Sequence, residues 1–256
     1  LKTWDYQKFL QPGIGKSGSW SERDWFHNNA LWYDKNTNSL TFSGRHMDCM
    51  VNVDFETGEL NWIIGDPEGW PKEWTDRYFF RPVGNDFQWQ YEQHACLITP
   101  DGDVMCFDNH HWASKNPEHY RKAKDNFSRG VRYRINTRDM TIRQIWQYGQ
   151  DRGAEFFSPY ISNVEYYNEG HYMVHSGGIA YNKDGEISES LGAFEMNMGG
   201  RLEAVTVEIC DNKKMMELHT AGNYYRAEKM KLYTEGSNLE MGMGSLLGHM
   251  GVTREF

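Results

Sequence analysis

Several features are missing from this chain, and each absence narrows what it can be. Apolar residues almost never recur at helical spacing, so an all-α or α/β fold is not expected. No apolar run approaches the roughly 20 residues that cross a bilayer as a helix, so no membrane span is expected. Cysteine is limited to Cys49, Cys96, Cys106 and Cys210, with no CxxC and no zinc-type spacing. A structural metal centre is therefore not expected, and four buried thiols are. Excess positive charge is also lacking: the formal net charge is −9, which makes a poor general binder of phosphate backbones and argues against nucleic acid as a partner. Proline is scarce, 7 residues against 25 glycines, so the turns fall to glycine. Finally, Leu1 is not preceded by a charged and apolar leader. Either a leader has been removed or the chain is a piece of something longer.

Aromatic residues, at 15% with 10 Trp and 15 Tyr, are abundant, and such rings favour strands and packed sheet faces. Strand-like runs recur between turn signals. ALWYD, SLTFSG, CMVNVD and ELNWIIG form a first cluster, and QHACLITP, GDVMCFDN, GVRYRIN and TIRQIWQYG a second. SNVEYYN and HYMVHSGGIAYN form a third, and AVTVEICD, KMMELHTAG and YYRAEKMKLY a fourth. Four units of roughly 40 to 80 residues, each with about four strands, predict an all-β fold and the blades of a β-propeller spanning 1–256. A β-sandwich with long loops is the rival. Residues 66–93 and 109–127 read as long loops, which in a compact β domain are functional or disordered.

Histidines fall at matching places in these units. His27 and His94 open the first strands of the first two. His46, in SGRH, and Asn109, His110 and His111 follow the second strands; His175 in VHSGG and His219 in ELHTAG end strands further on. Arg129 begins the strand after the second long loop. In a propeller these positions converge at one mouth of the central channel. His119, His171 and His249 lie in polar turns or the tail and read as surface or packed residues. Several imidazoles with an arginine and amides, but no obvious carboxylate cluster, suit either zinc hydrolysis or transfer of an anionic group.

DWFHNNALWYD, SGRHMDCMVNVD, LNWIIGDPEGW, QHACLITPDGDVMCFDN, SRGVRYRIN and IWQYGQDRGAEFFSPYISNVEYY follow in order. Over roughly residues 20 to 180 they closely resemble the bacterial arylsulfate sulfotransferases that work without a nucleotide sulfate donor. The resemblance implies a six-bladed propeller preceded by an N-terminal β-sandwich. It implies a ping-pong reaction in which a histidine takes a sulfuryl group from an aryl sulfate and passes it to a phenol, with no metal or cofactor required. Carried over, His175 is the nucleophile with His219 its rival, His27 the acid and base, and Arg129 the sulfuryl-binding arginine. Asn109 and His111 match the region of further polar ligands, and His94 and His46 take supporting roles. A periplasmic, exported location follows from the resemblance alone.

The departures are the missing sandwich and first blades, the absence of the family's short-range cysteine pair, and about four blades where the family has six. The chain is then a fragment, closes differently, or is completed by another copy in a homo-oligomer, since open sheet edges tend to pair. The competing functions are a non-catalytic ligand-binding propeller and a metal-dependent hydrolase using the same histidines.

Overall fold

The structure is a computed structural model and describes residues 10–230 together with Asp5 and Gln7. His249 lies outside the described residues. The described residues form thirteen strands and two short α-helices: β1 Asn28–Asp34, β2 Ser39–Gly44, β3 Cys49–Asp54, β4 Leu60–Gly65, α1 Lys72–Tyr78 and β5 Arg81–Pro82, then β6 His94–Ile98, β7 Val104–Asp108, β8 Arg129–Asn136 and β9 Thr141–Tyr148, and last β10 Asn163–Asn168, β11 His171–Tyr181, α2 Gly192–Asn197, β12 Arg201–Cys210 and β13 Lys213–Ala221. It is an all-β architecture, as the absence of helical periodicity predicts.

The strands make three sheets in chain order, β1-β2-β3-β4, β6-β7-β8-β9 with β5 added beside β9, and β10-β11-β12-β13. Within each sheet, consecutive strands pair antiparallel. Tight turns explain the hairpins: Asp54 Oδ1 accepts from the backbone N–H of Glu56 and Thr57, and Gly58 follows at φ 73°. Such side-chain-closed turns need a short acceptor and a residue free to adopt positive φ.

Packing joins the sheets face to face. Met50, Trp62 and Ile64 of the first sheet meet Cys96, Val104, Cys106 and Val131 of the second. On the other face of the second sheet, Leu97, Met105 and Phe107 meet Val164, Val174, Val205 and Val207 of the third. The middle sheet is thus buried on both sides, which is why VMCFD reads as a continuous apolar run. The outer face of the first sheet is covered by Leu10, Phe26, Trp70 and Phe79, so the 66–93 segment, with α1, is a packed cover. Cys49, Cys96 and Cys106 are buried free thiols, whereas Cys210 is half-buried at the end of β12, a departure from the expected four buried thiols.

One expectation is corrected. The third and fourth clusters are a single sheet, so the described residues hold three sheets where the sequence suggests about four units. β11 runs eleven residues, and its pairing with β12 shifts register between Ser176 and Ile179. SGG therefore marks a bulge inside a strand, not a strand end, because glycine fits both a bulge and a turn. The long connection 182–200, with α2, returns the chain to β12. Residues 224–230, read as part of a strand, hold none.

Candidate active site

β1, β6 and β10 are edge strands, each opening a run of four consecutive strands. His27 immediately precedes β1 and His94 is the first residue of β6, so both stand at the same end of neighbouring strands. His46 follows β2 in a 3-10 turn, and Asn28 pairs with Gly44 across that corner. These three histidines come together: the ring centroids of His27 and His46 are 4.6 Å apart, and those of His27 and His94 6.4 Å.

The partners fix where each proton sits. Asn109 Nδ2 donates to the carbonyls of Ser158 and Ile161, so its Oδ1 faces His94 Nδ1 at 2.8 Å. An amide oxygen only accepts, hence His94 carries its proton on Nδ1 and its lone pair on Nε2. Arg45 only donates, and its guanidinium stands 2.9 Å from His46 Nε2, while His46 Nδ1–H donates to the Asp24 carbonyl at 2.5 Å. His46 is therefore held neutral. His27 Nδ1 pairs with the Asp24 carboxylate, which leaves Nε2 for the reaction side. Burial, then the Arg45 charge, pushes His94 down to about 3. Burial likewise lowers His46, more than the Asp24 carbonyl raises it.

Beneath the histidines lies a charged chain that the sequence reading missed. Arg45 contacts the Glu92 carboxylate at 2.6 Å, and Glu92 accepts from His111 Nδ1 at 2.9 Å. Burial raises Glu92, but Arg45 and then His111 outweigh it and hold the carboxyl at about 2. Asp24 has a signal in the sequence, three residues before His27 in DWFH. Arg45 sits beside His46 in SGRH. Glu92 lies in WQYEQH, where Gln90, Glu92 and Gln93 are all buried, and nothing in a polar run announces burial.

Arg129, His175 and His219 are held by other partners. Arg129 is fully buried, with Nε on Asp108 at 2.9 Å and its other nitrogens on Gln144, Gln150 and the Gln88 carbonyl. Asp108 also accepts from the backbone of Tyr91 and His110. As placed, Arg129 spends its donors bracing the two loops that carry Glu92 and Asn109. His175 lies in mid-strand, paired with Asn163. Its Nε2–H donates to the Tyr224 carbonyl at 3.0 Å, so Nδ1 accepts from the Thr206 hydroxyl at 2.8 Å. Both ring nitrogens are taken. His219 is exposed on β13 between Glu203 at 2.6 Å and Glu217 at 2.8 Å, a poor place for an anion.

Asp24, His27 and His46 lie close enough to share a metal ion. The donor set fits one badly. A cation would need the His46 lone pair at Nδ1, which carries the proton as long as Arg45 donates to Nε2. The guanidinium charge at that distance also favours an anion. Of the larger clefts, one of about 570 Å³ lies at the opposite end of the same strands, lined by Trp32–Asn36, Leu97–Pro100 and Glu165–Tyr167.

The family profile described as Arylsulfotransferase (ASST) matches residues 1–233. The arylsulfate sulfotransferase AssT of Escherichia coli O6:H1 strain CFT073 is 29% identical over 172 residues, covering 61% of this chain and 28% of that protein. AssT of Lelliottia amnigena is 30% identical over 167 residues, 58% of this chain and 27% of its own. The match thus spans little more than a quarter of either relative's length.

Proposed function

The chain belongs to the arylsulfotransferase family, and on that premise we propose that it moves a sulfuryl group from an aryl sulfate ester to a phenolic acceptor through a sulfurylated histidine. The three consecutive sheets are then neighbouring blades of a propeller, six in the family, and the histidine cluster stands at one mouth of its channel. Kinship alone supports a periplasmic location.

The observation that carries the reading is the fixed tautomer of His94 beside His27 and Arg45. His94 Nε2 attacks sulfur as the S–O bond to the donor breaks and an N–S bond forms. Burial disfavours its protonation, so its lone pair is free near neutral pH. The leaving phenolate takes the Nε2 proton of His27 in its imidazolium form, whose Nδ1–H is held by the Asp24 carboxylate, and leaves a neutral His27. In the second half, His27 takes the acceptor's phenolic proton, the phenolate attacks sulfur and the N–S bond breaks. Charge builds on the sulfuryl oxygens as it does in phosphoryl transfer, and Arg45 supplies fixed positive charge at the base of the cluster. In this proposal His94 replaces His175 as nucleophile, because His175 has no free ring nitrogen. His175 and Arg129 hold the framework.

The test is the intact mass of the chain after incubation with 4-nitrophenyl sulfate and no acceptor. One added sulfuryl group is expected in the unaltered chain and in His175→Ala, and none in His94→Ala. A group retained in His94→Ala but lost from His175→Ala would return the nucleophile to His175. No addition to the unaltered chain would defeat the transferase reading and favour a ligand-binding propeller.

A further inference from the structure

Glu92 is fully buried, and its backbone sits at φ 52°. Five donors converge on its carboxylate: Ser17 Oγ at 3.0 Å, the Ser19 backbone N–H and hydroxyl both at 2.9 Å, Arg45 at 2.6 Å and His111 Nδ1 at 2.9 Å. Its own N–H donates to Asp48 Oδ1 at 2.7 Å. A residue with this number of ties is normally a packing device, but two of the groups it holds are chemical. Arg45 reaches on to His46 at 2.9 Å. His111 is 5% exposed, stacks on Trp112 at 4.5 Å, and has a buried Nε2 with no partner among the described residues.

A carboxylate only accepts, so His111 carries its proton on Nδ1 and a bare lone pair on Nε2. A buried nitrogen left without a donor carries its desolvation cost unrepaid. A chain that needed only packing would be relieved of that cost by an apolar side chain. We propose that Glu92 is a positioning residue for the transfer reaction. It holds Arg45 against the histidines and His111 in one tautomer, so that His111 presents an acceptor nitrogen and Arg45 a compensated charge. This rests on the transferase reading for its role in catalysis, though not for its hold on His111. The charged and titratable groups facing Glu92 are Arg45, His46, Asp48, His111 and Tyr120.

Two readouts test it on the full chain: the ¹⁵N imidazole spectrum across pH, and steady-state sulfuryl transfer from 4-nitrophenyl sulfate to phenol. The unaltered chain is expected to show His111 protonated on Nδ1 alone. In Glu92→Gln, which removes the charge facing Arg45, kcat falls about 10- to 100-fold with KM little changed, and Glu92→Asp restores part of it. With Arg45 uncompensated, the nearby imidazoles resist protonation further, so the acid limb of the rate profile moves to lower pH. A proton on His111 Nε2 in the unaltered chain overturns the proposal even if Glu92→Gln does not fold. An unchanged kcat and pH profile in folded Glu92→Gln overturns the catalytic role. An unaltered chain without transfer activity defeats the transferase reading and the catalytic role, while the spectrum still decides whether Glu92 fixes His111.

Discussion

His94 and His175 differ by which ring nitrogen holds the proton, and that difference separates an imidazole able to attack from one that cannot. Neither tautomer is visible in a sequence, because each is set by a partner far along the chain: Asn109 for His94, the Tyr224 carbonyl for His175. The same holds for Arg129, which begins a strand as its position suggests but turns onto Asp108. What was legible was where His27, His46 and His94 fall relative to strand ends. A pH consequence belongs here. Burial lowers His46, His94, His110 and His175 below the ordinary 6.5. As pH falls below 6.5, the unfolded chain binds protons that the native one refuses, so stability drops. For His94 the loss continues to about pH 3, and Glu92 adds its own between 4.5 and about 2. Denaturant unfolding should therefore show a decline already between pH 7 and 5, on the order of a few kcal/mol by pH 4. A flat profile from 7 to 5 would contradict it.

At the scale of an element, one corner controls how β9 leaves the second sheet. Gly149 sits at φ 125°, and a Cβ there would lie 2.4 Å from the Ser128 carbonyl. Gly153 sits at φ 58° with nothing within 4 Å of an added Cβ. Gly153→Ala should thus cost only the left-handed backbone penalty, about 1 kcal/mol. Gly149→Ala adds a backbone clash and should cost more, about 2–4 kcal/mol, read from urea midpoints. Equal losses would mean that the corner yields. Element reading also explains why four units became three sheets. Glycine at 177–178 serves a bulge, and turn and bulge look alike in sequence because both need a residue without Cβ. The hairpins of the first two sheets, whose turns are closed by local side chains, were legible almost strand for strand.

At the scale of the molecule, the third sheet ends, among the described residues, on a strand with exposed apolar side chains. On β13, Met215, Met216 and Leu218 are exposed, and among the described residues β13 pairs only with β12. Apolar side chains on an open edge strand favour association. Sedimentation velocity should show larger species as concentration rises, suppressed in the Met216→Lys, Leu218→Lys double variant. Equal behaviour of the two proteins would show that β13 is not the contact.

The bond from Gln93 Nε2 to the Ser43 hydroxyl joins residues 50 apart in sequence, at the seam where the first two sheets dock. Hairpins close in microseconds from nearby residues, whereas contacts of this range wait for loop closure. Arg45, Glu92 and His94 meet at that same seam, so the histidine cluster is assembled late. A stopped-flow record of refolding should find the strands before it finds the site: circular dichroism returning first, and the protonation behaviour of His94 only with the slower, docking-limited phase.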